Sequence, residues 1–204
     1  MEQPTFVFKQ GDLLKGMTSS LKKGACWGLT VRWLRDCFSG GPSVAGLGIN
    51  HGTTGHEALI DHSERANQFL SGISGDSQIA NGIVMLSSGR LDGARDSRID
   101  NPAGSSAGLL SMSKAISITS ALSSDGNNYF GMIVFTCAIG RHAMAVVKWR
   151  NVWALFDPNY GTWTYAGDAQ GAPPKFSALL KDNFDSYKVT EVKLFNITRL
   201  TTEY

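Results

Sequence analysis

A cysteine, a histidine and an aspartate in this chain have the surroundings that nucleophilic catalysis needs. Cys26 follows the small residues Gly24 and Ala25 and begins an amphipathic run whose apolar side chains recur at helical spacing. The thiol is therefore predicted in the first turn of a helix, where the partial positive charge of the helix terminus favours a thiolate. The alternative is that Cys26 is a small buried hydrophobic residue, as most free cysteines are.

The histidine and the aspartate belong to a predicted β-hairpin. His142 starts one apolar run, Asp157 ends the next, and a tight turn at residues 150–151 separates them. Two adjacent antiparallel strands bring both side chains to the same end of the hairpin. The aspartate can then accept a hydrogen bond from one imidazole nitrogen while the other faces a thiol, which predicts a Cys-His-Asp site. Singly, His142 could be a strand-end residue and Asp157 a turn former, and it is the conjunction with Cys26 that favours catalysis.

The remaining cysteines and histidines do not form a second site. Cys37 and Cys137 lie in apolar runs and are predicted to be core residues. Three cysteines without a Cys-x-x-Cys pair argue against a disulfide framework or a structural zinc site. His51, His56 and His62 lack a companion at the i, i+4 spacing of a helical metal site, which favours surface or capping roles. We therefore expect neither a metal nor a cofactor.

Length and charge limit the possible classes of protein. A chain of 204 residues suffices for one substantial domain with its own core. The net charge of +2 is too small to favour nucleic acid or an acidic membrane surface as a partner. No run approaches the length of a membrane span, and the N-terminus does not resemble a signal peptide. We expect one catalytic domain over residues 1–204, with residues 1–23 either packed on it or serving as a leader or export segment.

Helical periodicity dominates the first part of the chain and strand-like patterns dominate the last part. Helices are predicted over 26–38, 54–70, 77–86, 107–122 and 173–180. Strands are predicted over 5–9, 129–137, 143–149, 152–156 and 187–200. The glycine-rich and polar stretches 39–55 and 87–106 are predicted to be loops that determine substrate specificity. This order of elements predicts an α+β fold.

Three short motifs in this sequence resemble those of the YopT-type papain-like cysteine peptidases of bacterial pathogens. They are Gly24-Ala25-Cys26-Trp27-Gly28-Leu29, Gly140-Arg141-His142-Ala143 and Asp157-Pro158-Asn159-Tyr160-Gly161. The resemblance implies a papain-like architecture, in which an N-terminal helical half carrying Cys26 packs on a C-terminal antiparallel sheet carrying His142 and Asp157. It also implies cleavage of a host protein, after secretion by a bacterium into the host cytosol; an ordinary bacterial cytoplasmic enzyme is the alternative.

One departure from that family keeps other functions open. Papain-like enzymes usually carry Asn or Gln a few residues before the cysteine to help bind the oxyanion, but residues 19–23 here are Ser-Ser-Leu-Lys-Lys. Ser20 and the backbone N–H of Cys26 are the candidate donors. The same three residues would also suit an acyltransferase, a transglutaminase or a glutamine deamidase. A binding module on a decayed peptidase fold is a further alternative, which the missing amide favours and the intact Cys-His-Asp set opposes.

Overall fold

A seven-stranded antiparallel sheet forms the centre of the fold. The computed structural model describes residues 2–13, 15, 25–51, 75–87, 90–96, 107–126, 128–138, 140–167 and 171–199. The strands are β1 Phe6–Val7, β2 Leu91–Arg95, β3 Asn128–Cys137, β4 Gly140–Trp149, β5 Val152–Asp157, β6 Gly161–Ala166 and β7 Glu191–Arg199. Their order across the sheet is β1-β6-β5-β4-β3-β7-β2, and every neighbouring pair is antiparallel.

Helices cover both faces of this sheet. Those in the described ranges are α1 Gln10–Leu13, α2 Cys26–His51, α3 Asp76–Leu86, α4 Ala107–Ser124 and α5 Ala172–Tyr187. One buried cluster joins α2 and α3 to one face, and a second joins α4 and α5 to the other. None of these helices combines the length and the apolar character needed to cross a bilayer.

The alternation of side chains along β4 explains how one strand serves two cores. Ala143 and Ala145 belong to the cluster beneath α2, whereas Met144 and Val146 belong to the cluster beneath α5. Because both faces of β4 are covered, the strand is apolar at successive positions instead of alternating with polar residues. His142 shares its face with Met144, so its ring projects toward α5.

Helix α2 is fixed over the hairpin formed by β4 and β5. The indole of Trp33 stacks on the ring of Phe156, with centroids 5.3 Å apart and planes 9° apart. Near the start of the helix, Thr30 Oγ1 donates a hydrogen bond of 3.2 Å to the backbone oxygen of Ala143. Both contacts hold the N-terminal end of α2, and with it Cys26, close to the start of β4.

The loop predicted over residues 39–55 is wrong in its described part. Helix α2 kinks at Gly41, which has φ of 81° and ψ of 176°, and the chain is helical again up to His51. Pro42 starts this second part, where its missing N–H costs nothing because the first turn of a helix leaves that donor without a partner. The glycines and the proline were signals of a kink between two helical segments.

The polar loop predicted over residues 87–106 is also wrong in part. Residues Leu91–Arg95 form β2, which pairs with β7 at the edge of the sheet, and Leu91 and Gly93 point inward. The segment has only five residues, two of them charged, so its own sequence does not predict a strand. Its backbone pairing with β7 is what stabilises the extended conformation. Strand β6, Gly161–Ala166, was not predicted either, although its threonine and aromatic residues favour a strand.

The end of α5 differs from the prediction in a way that affects the site. The helix runs to Tyr187, beyond the predicted end at Leu180, and β7 starts only at Glu191. Buried side chains at Phe176, Leu180 and Phe184 continue the helical spacing through this region. The other helices and strands predicted within the described residues are confirmed apart from shifts at their ends, and the helix predicted over 54–70 lies outside those residues.

Candidate active site

A buried histidine–aspartate pair lies at one end of the β4–β5 hairpin. Ala145 pairs with Phe156, so antiparallel register places His142 and Asp157 on the same face as diagonal neighbours. Nε2 of His142 lies 2.9 Å from Oδ1 of Asp157, and the two side chains are 7% and 0% exposed. The hairpin therefore fixes the distance between an acid and a base within a water-poor environment.

The thiol of Cys26 lies against the same imidazole. Cys26 is the first residue of α2, and its side chain, together with Asp157, interacts with the ring of His142 so as to raise the pKa of that histidine. Since Nε2 faces Asp157, Nδ1 is the ring nitrogen that remains for the thiol. The structure thus brings together the three residues that the sequence motifs singled out.

The electrostatics of this cluster favour a protonated imidazole. Burial by itself lowers the pKa of His142, because the charged form loses its hydration. Hydrogen bonds and charge interactions with Asp157 and Cys26 act in the opposite direction and raise the pKa of His142 to about 10. His142 is therefore an imidazolium at neutral pH.

Asp157 has further donors besides the histidine. The hydroxyl of Tyr187 donates to Oδ2 at 2.9 Å, and the backbone N–H of Asn159 donates to Oδ1 at 2.8 Å. The amide of Asn159 in turn donates to the Tyr187 hydroxyl at 2.7 Å. Two effects raise the pKa of Tyr187 above its ordinary value: burial is the larger, and the nearby charge of Asp157 is the next. The phenol therefore stays protonated and remains a donor.

Aromatic rings enclose the pair on the α5 side. The ring of Tyr187 lies 5.0 Å from that of His142 with the planes 30° apart, and Phe135 approaches His142 edge-on at 5.3 Å. These rings exclude water, and charge interactions are stronger where water is excluded. Sequence reasoning missed Tyr187 because it was assigned to a strand, although the spacing from Phe184 continues the buried face of the helix.

Gln10 is a second residue that the sequence did not indicate. Its side-chain oxygen accepts a hydrogen bond of 2.8 Å from the backbone N–H of Ala25, and its Nε2 donates to Oδ1 of Asn159. Its own backbone N–H donates to the oxygen of Pro158 at 2.8 Å. Ser20, the predicted oxyanion donor, lies outside the described residues. No local pattern around Gln10 could have revealed these contacts, because both partners are distant in sequence.

The family described as Yersinia/Haemophilus virulence surface antigen, peptidase family C58, matches residues 3–202 of the chain. This protein belongs to the C58 family. The match extends over almost the whole chain, so it includes the segments around Cys26, His142 and Asp157. The resemblance of the motifs to YopT-type peptidases is confirmed at the level of the family.

Individual relatives agree with the family and with the fold. A Bradyrhizobium diazoefficiens protein, named provisionally as a YopT-like cysteine protease, is 26% identical over 172 residues, covering 81% of this chain. The chain spans 58% of that relative's length. The crystal structure of the Pseudomonas avirulence protein AvrPphB superposes with a TM-score of 0.57 at 16% identity, covering 91% of this chain and 99% of that one.

A second solved structure points to the same fold. It is PatoxP, a cysteine protease-like domain of the Photorhabdus asymbiotica toxin PaTox, with a TM-score of 0.53 and 14% identity. It covers 94% of this chain and 52% of the other. The architecture of this C58 family member, mixed helices on an antiparallel sheet, is that of the papain-like cysteine proteases.

A cavity of about 240 Å³ lies beside β3, β4 and β7, and Phe135, whose ring contacts His142, is one of its lining residues. Thr136 and Arg141 line it and pair across β3 and β4, next to the pair that contains His142. Lys193 also lines it, with Nζ held 2.8 Å from Oδ1 of Asp76 at the start of α3. In this C58 protein, charged side chains on β4 and β7 therefore line a cavity next to the strand positions of Phe135 and His142.

The other two cysteines of this C58 protein are also buried. Cys37 is fully buried in α2, and this burial raises the pKa of its thiol well above the ordinary value. Cys137 donates to the backbone oxygen of Gly140 at 3.3 Å. Among the residues that the structure describes, no group of three or more His, Cys, Asp or Glu side chains could hold a metal ion.

Proposed function

We propose that this protein is a cysteine peptidase that cleaves a protein substrate with Cys26, His142 and Asp157 as its catalytic residues. The observation that carries the proposal is the buried His142 ring, which is hydrogen-bonded to Asp157 and whose pKa is raised by interactions with Asp157 and Cys26. A cysteine paired with an imidazolium at a helix N-terminus is the arrangement that activates a thiol as a nucleophile. Membership of a peptidase family supports the same activity.

Each residue has a distinct role in the proposed reaction. The thiolate of Cys26 attacks the carbonyl carbon of the scissile peptide, and His142 donates its proton to the leaving amine. His142 then takes a proton from water, which hydrolyses the acyl-enzyme and releases Cys26. Asp157 orients the imidazole and stabilises its positive charge.

The oxyanion of the tetrahedral intermediate needs hydrogen-bond donors. We assign the backbone N–H of Cys26 as one of them, because the first N–H groups of a helix have no partner within the helix. Gln10 does not take the place of the upstream amide of papain-like enzymes. Its oxygen accepts from Ala25 and its nitrogen donates to Asn159. Ser20 stays the predicted second donor.

We also propose that the protein is a secreted bacterial effector acting on a host protein in the host cytosol. The description of its family refers to virulence, and the structural relative from Pseudomonas is an avirulence protein. The cavity beside Arg141 and Lys193 is a candidate subsite for a substrate side chain, since Phe135, which also lines it, contacts the ring of His142. In their described residues, the predicted loops 39–55 and 87–106 are partly helix and strand.

Intact-mass analysis of candidate target proteins tests the reaction. Fragment masses produced by the wild type and absent with Cys26→Ala indicate a peptidase. A shift of about one mass unit, the replacement of an amide NH₂ by OH, would indicate a deamidase, and a larger adduct would indicate acyl transfer. Cys37→Ala, which removes a buried thiol from the same helix, is the matched control and should cleave like the wild type. Unchanged spectra over a broad panel would favour a binding module.

Substitution of the three residues tests their roles. We expect Cys26→Ala and His142→Ala to abolish turnover, because each removes a group that reacts. Asp157→Ala should reduce kcat by a smaller factor, about 10²–10⁴, because this residue orients and stabilises the histidine but does not react. Steady-state kinetics on one cleaved substrate would measure these factors. Equal activity of His142→Ala and the wild type would contradict the assignment.

A further inference from the structure

We propose that residues 2–13 support the active site. Within this segment, Gln10 is the positioning residue that aligns the Cys26 thiol with the His142–Asp157 pair. The inference rests on the proposed function, since it concerns the same site. Gln10 is only 8% exposed, although it is polar and belongs to a short helix near the N-terminus. A buried amide must be hydrogen-bonded, so its partners indicate its purpose.

Those partners belong to the two halves of the site. The oxygen of Gln10 accepts the N–H of Ala25, the residue immediately before the nucleophile, at 2.8 Å. The nitrogen donates to Oδ1 of Asn159, in the turn that follows Asp157. Because an amide group is rigid and planar, one side chain sets the separation between the start of α2 and the end of β5.

From Asn159 the hydrogen bonds continue to the catalytic carboxylate. The amide nitrogen of Asn159 donates to the hydroxyl of Tyr187, which donates to Oδ2 of Asp157. The backbone N–H of Asn159 also donates to Oδ1 of Asp157. A continuous series of hydrogen bonds thus joins Ala25 to Asp157 through Gln10, Asn159 and Tyr187, and bonds in such a series strengthen one another.

The segment that carries Gln10 is itself anchored to the sheet. Strand β1 pairs with β6, and Phe8 N–H donates to the oxygen of Tyr160 at 3.1 Å. Further toward the terminus, Trp163 Nε1 donates to the backbone oxygen of Glu2 at 2.9 Å. These contacts tie the segment to the strand that follows the Asp157 turn.

The same segment also contacts the helix that carries the nucleophile. A Cβ added at Gly46 of α2 would lie 2.7 Å from the ring of Phe6, so the helix and β1 are in close packing. Phe8 packs against the core beneath α2, with its ring 6.2 Å from that of Phe156. Residues 2–13 therefore contact both α2 and the hairpin. Within this segment, Gln10 is the residue whose hydrogen bonds extend to the neighbours of Cys26 and Asp157.

Gln10→Met tests this role in the full-length protein, because it keeps the approximate shape of the side chain and removes both hydrogen bonds. The measurement is the second-order rate of Cys26 alkylation by iodoacetamide across pH, followed by peptide mapping. We expect alkylation near neutral pH to slow about tenfold, the loss typical of one or two hydrogen bonds. In turnover, kcat should fall while KM is unchanged, since both side-chain hydrogen bonds of Gln10 are made to Ala25 and Asn159 within the protein.

Gln78→Met is the control for the substitution itself, because Gln78 is exposed and its Oε1 accepts a backbone N–H from Gly75 before α3, far from Cys26 along the chain. It should leave the alkylation profile unchanged. Gln10→Glu is the second variant if Gln10→Met does not fold. It can still accept from Ala25 but cannot donate to Asn159, so it should also slow alkylation.

The possible outcomes separate this inference from the proposed function. A wild-type Cys26 that is no more reactive than Cys37 or Cys137 would overturn the proposed function itself. A reactive wild-type Cys26 with an unchanged profile in the folded Gln10 variants would overturn only the role of Gln10. The alkylation of each variant is measured well below its Tm. If a Gln10 variant has a lower Tm but is alkylated as fast as the wild type, Gln10 is purely structural and its positioning role is overturned.

Discussion

His142 lies in a position where two opposing effects on its pKa can be compared. Removing an imidazolium from water lowers the pKa, and nearby anions raise it. Here the second effect is larger, since hydrogen bonds to Asp157 and Cys26 raise the pKa of His142 to about 10. The interactions with Asp157 and Cys26 therefore keep the ring charged at neutral pH.

We predict that Cys26→Ala lowers the pKa of His142 but leaves it above 6.5. The substitution removes one of the two partners that raise the pKa, and Asp157 still faces Nε2 at 2.9 Å. Titration of the histidine ring resonances by NMR, in the wild type and the variant, measures both values. An identical pKa in the two proteins would mean that the Cys26 thiol does not interact with the ring.

The same shift predicts how stability depends on pH in Cys26→Ala, where the cysteine no longer contributes its own titration. Between 6.5 and the raised pKa, the folded protein binds a proton that the unfolded chain does not. The free energy of unfolding contributed by His142 is thus complete below pH 6.5 and falls as pH rises, by at most about 1.4 kcal/mol per pH unit. Chemical denaturation should show this slope, and adding His142→Ala should remove it.

At the scale of elements, the kink divides α2 into one part that carries Cys26 and a second part that packs in another direction. Gly41 takes φ of +81°, a conformation that side chains rarely adopt, and a Cβ there would lie 2.1 Å from the ring of Trp149. The helical part before the kink carries Cys26, and the part after it changes direction beside β4. The glycine is needed for both the backbone angle and the close approach.

We expect Gly41→Ala to destabilise the protein by about 2–4 kcal/mol, from backbone strain and overpacking together. Gly40→Ala is the control, because its Cβ would meet only the exposed side chain of Val44, at 3.0 Å, and alanine is the better helix former. Urea denaturation of both variants measures the difference. Equal stability of the two would contradict the close contact with Trp149.

At the scale of the whole molecule, two cores share one sheet. Cys37 belongs to the core beneath α2, and Cys137 belongs to the core beneath α5. Successive residues of β4 pack into alternate cores. Loss of packing in either core would therefore disturb β4 and, through it, the other core. We therefore expect the chain to unfold cooperatively, in keeping with the proposal that it forms one catalytic domain.

The two buried thiols provide separate probes of that cooperativity. Labelling of Cys37 and Cys137 at increasing denaturant should follow the same transition. Phe176→Ala, which acts on the α5 core alone, should cost about 3–5 kcal/mol and lower both midpoints equally. Labelling of Cys137 while Cys37 stays protected would show that the two cores unfold independently.

Local patterns in the sequence were sufficient for the principal elements and for the candidate catalytic residues. Helical spacing after Cys26 predicted where α2 begins, and two apolar runs around a tight turn predicted the hairpin that carries His142 and Asp157. These features depend on residues close together in the chain, because periodicity and turn chemistry are short-range properties. The motifs also indicated the family, which the comparison over residues 3–202 confirmed.

Only the tertiary structure could reveal the residues that support this cluster. Gln10 and Asn159 are separated by 149 positions, and Tyr187 and Asp157 by 30, so no local pattern relates them. Strand β2 likewise exists because β7 offers it an edge, and its own five residues do not predict it. Periodicity specifies which face of an element is buried, whereas the partner it meets depends on how distant segments pack. The hydrogen bonds around Asp157 are therefore a property of the folded chain.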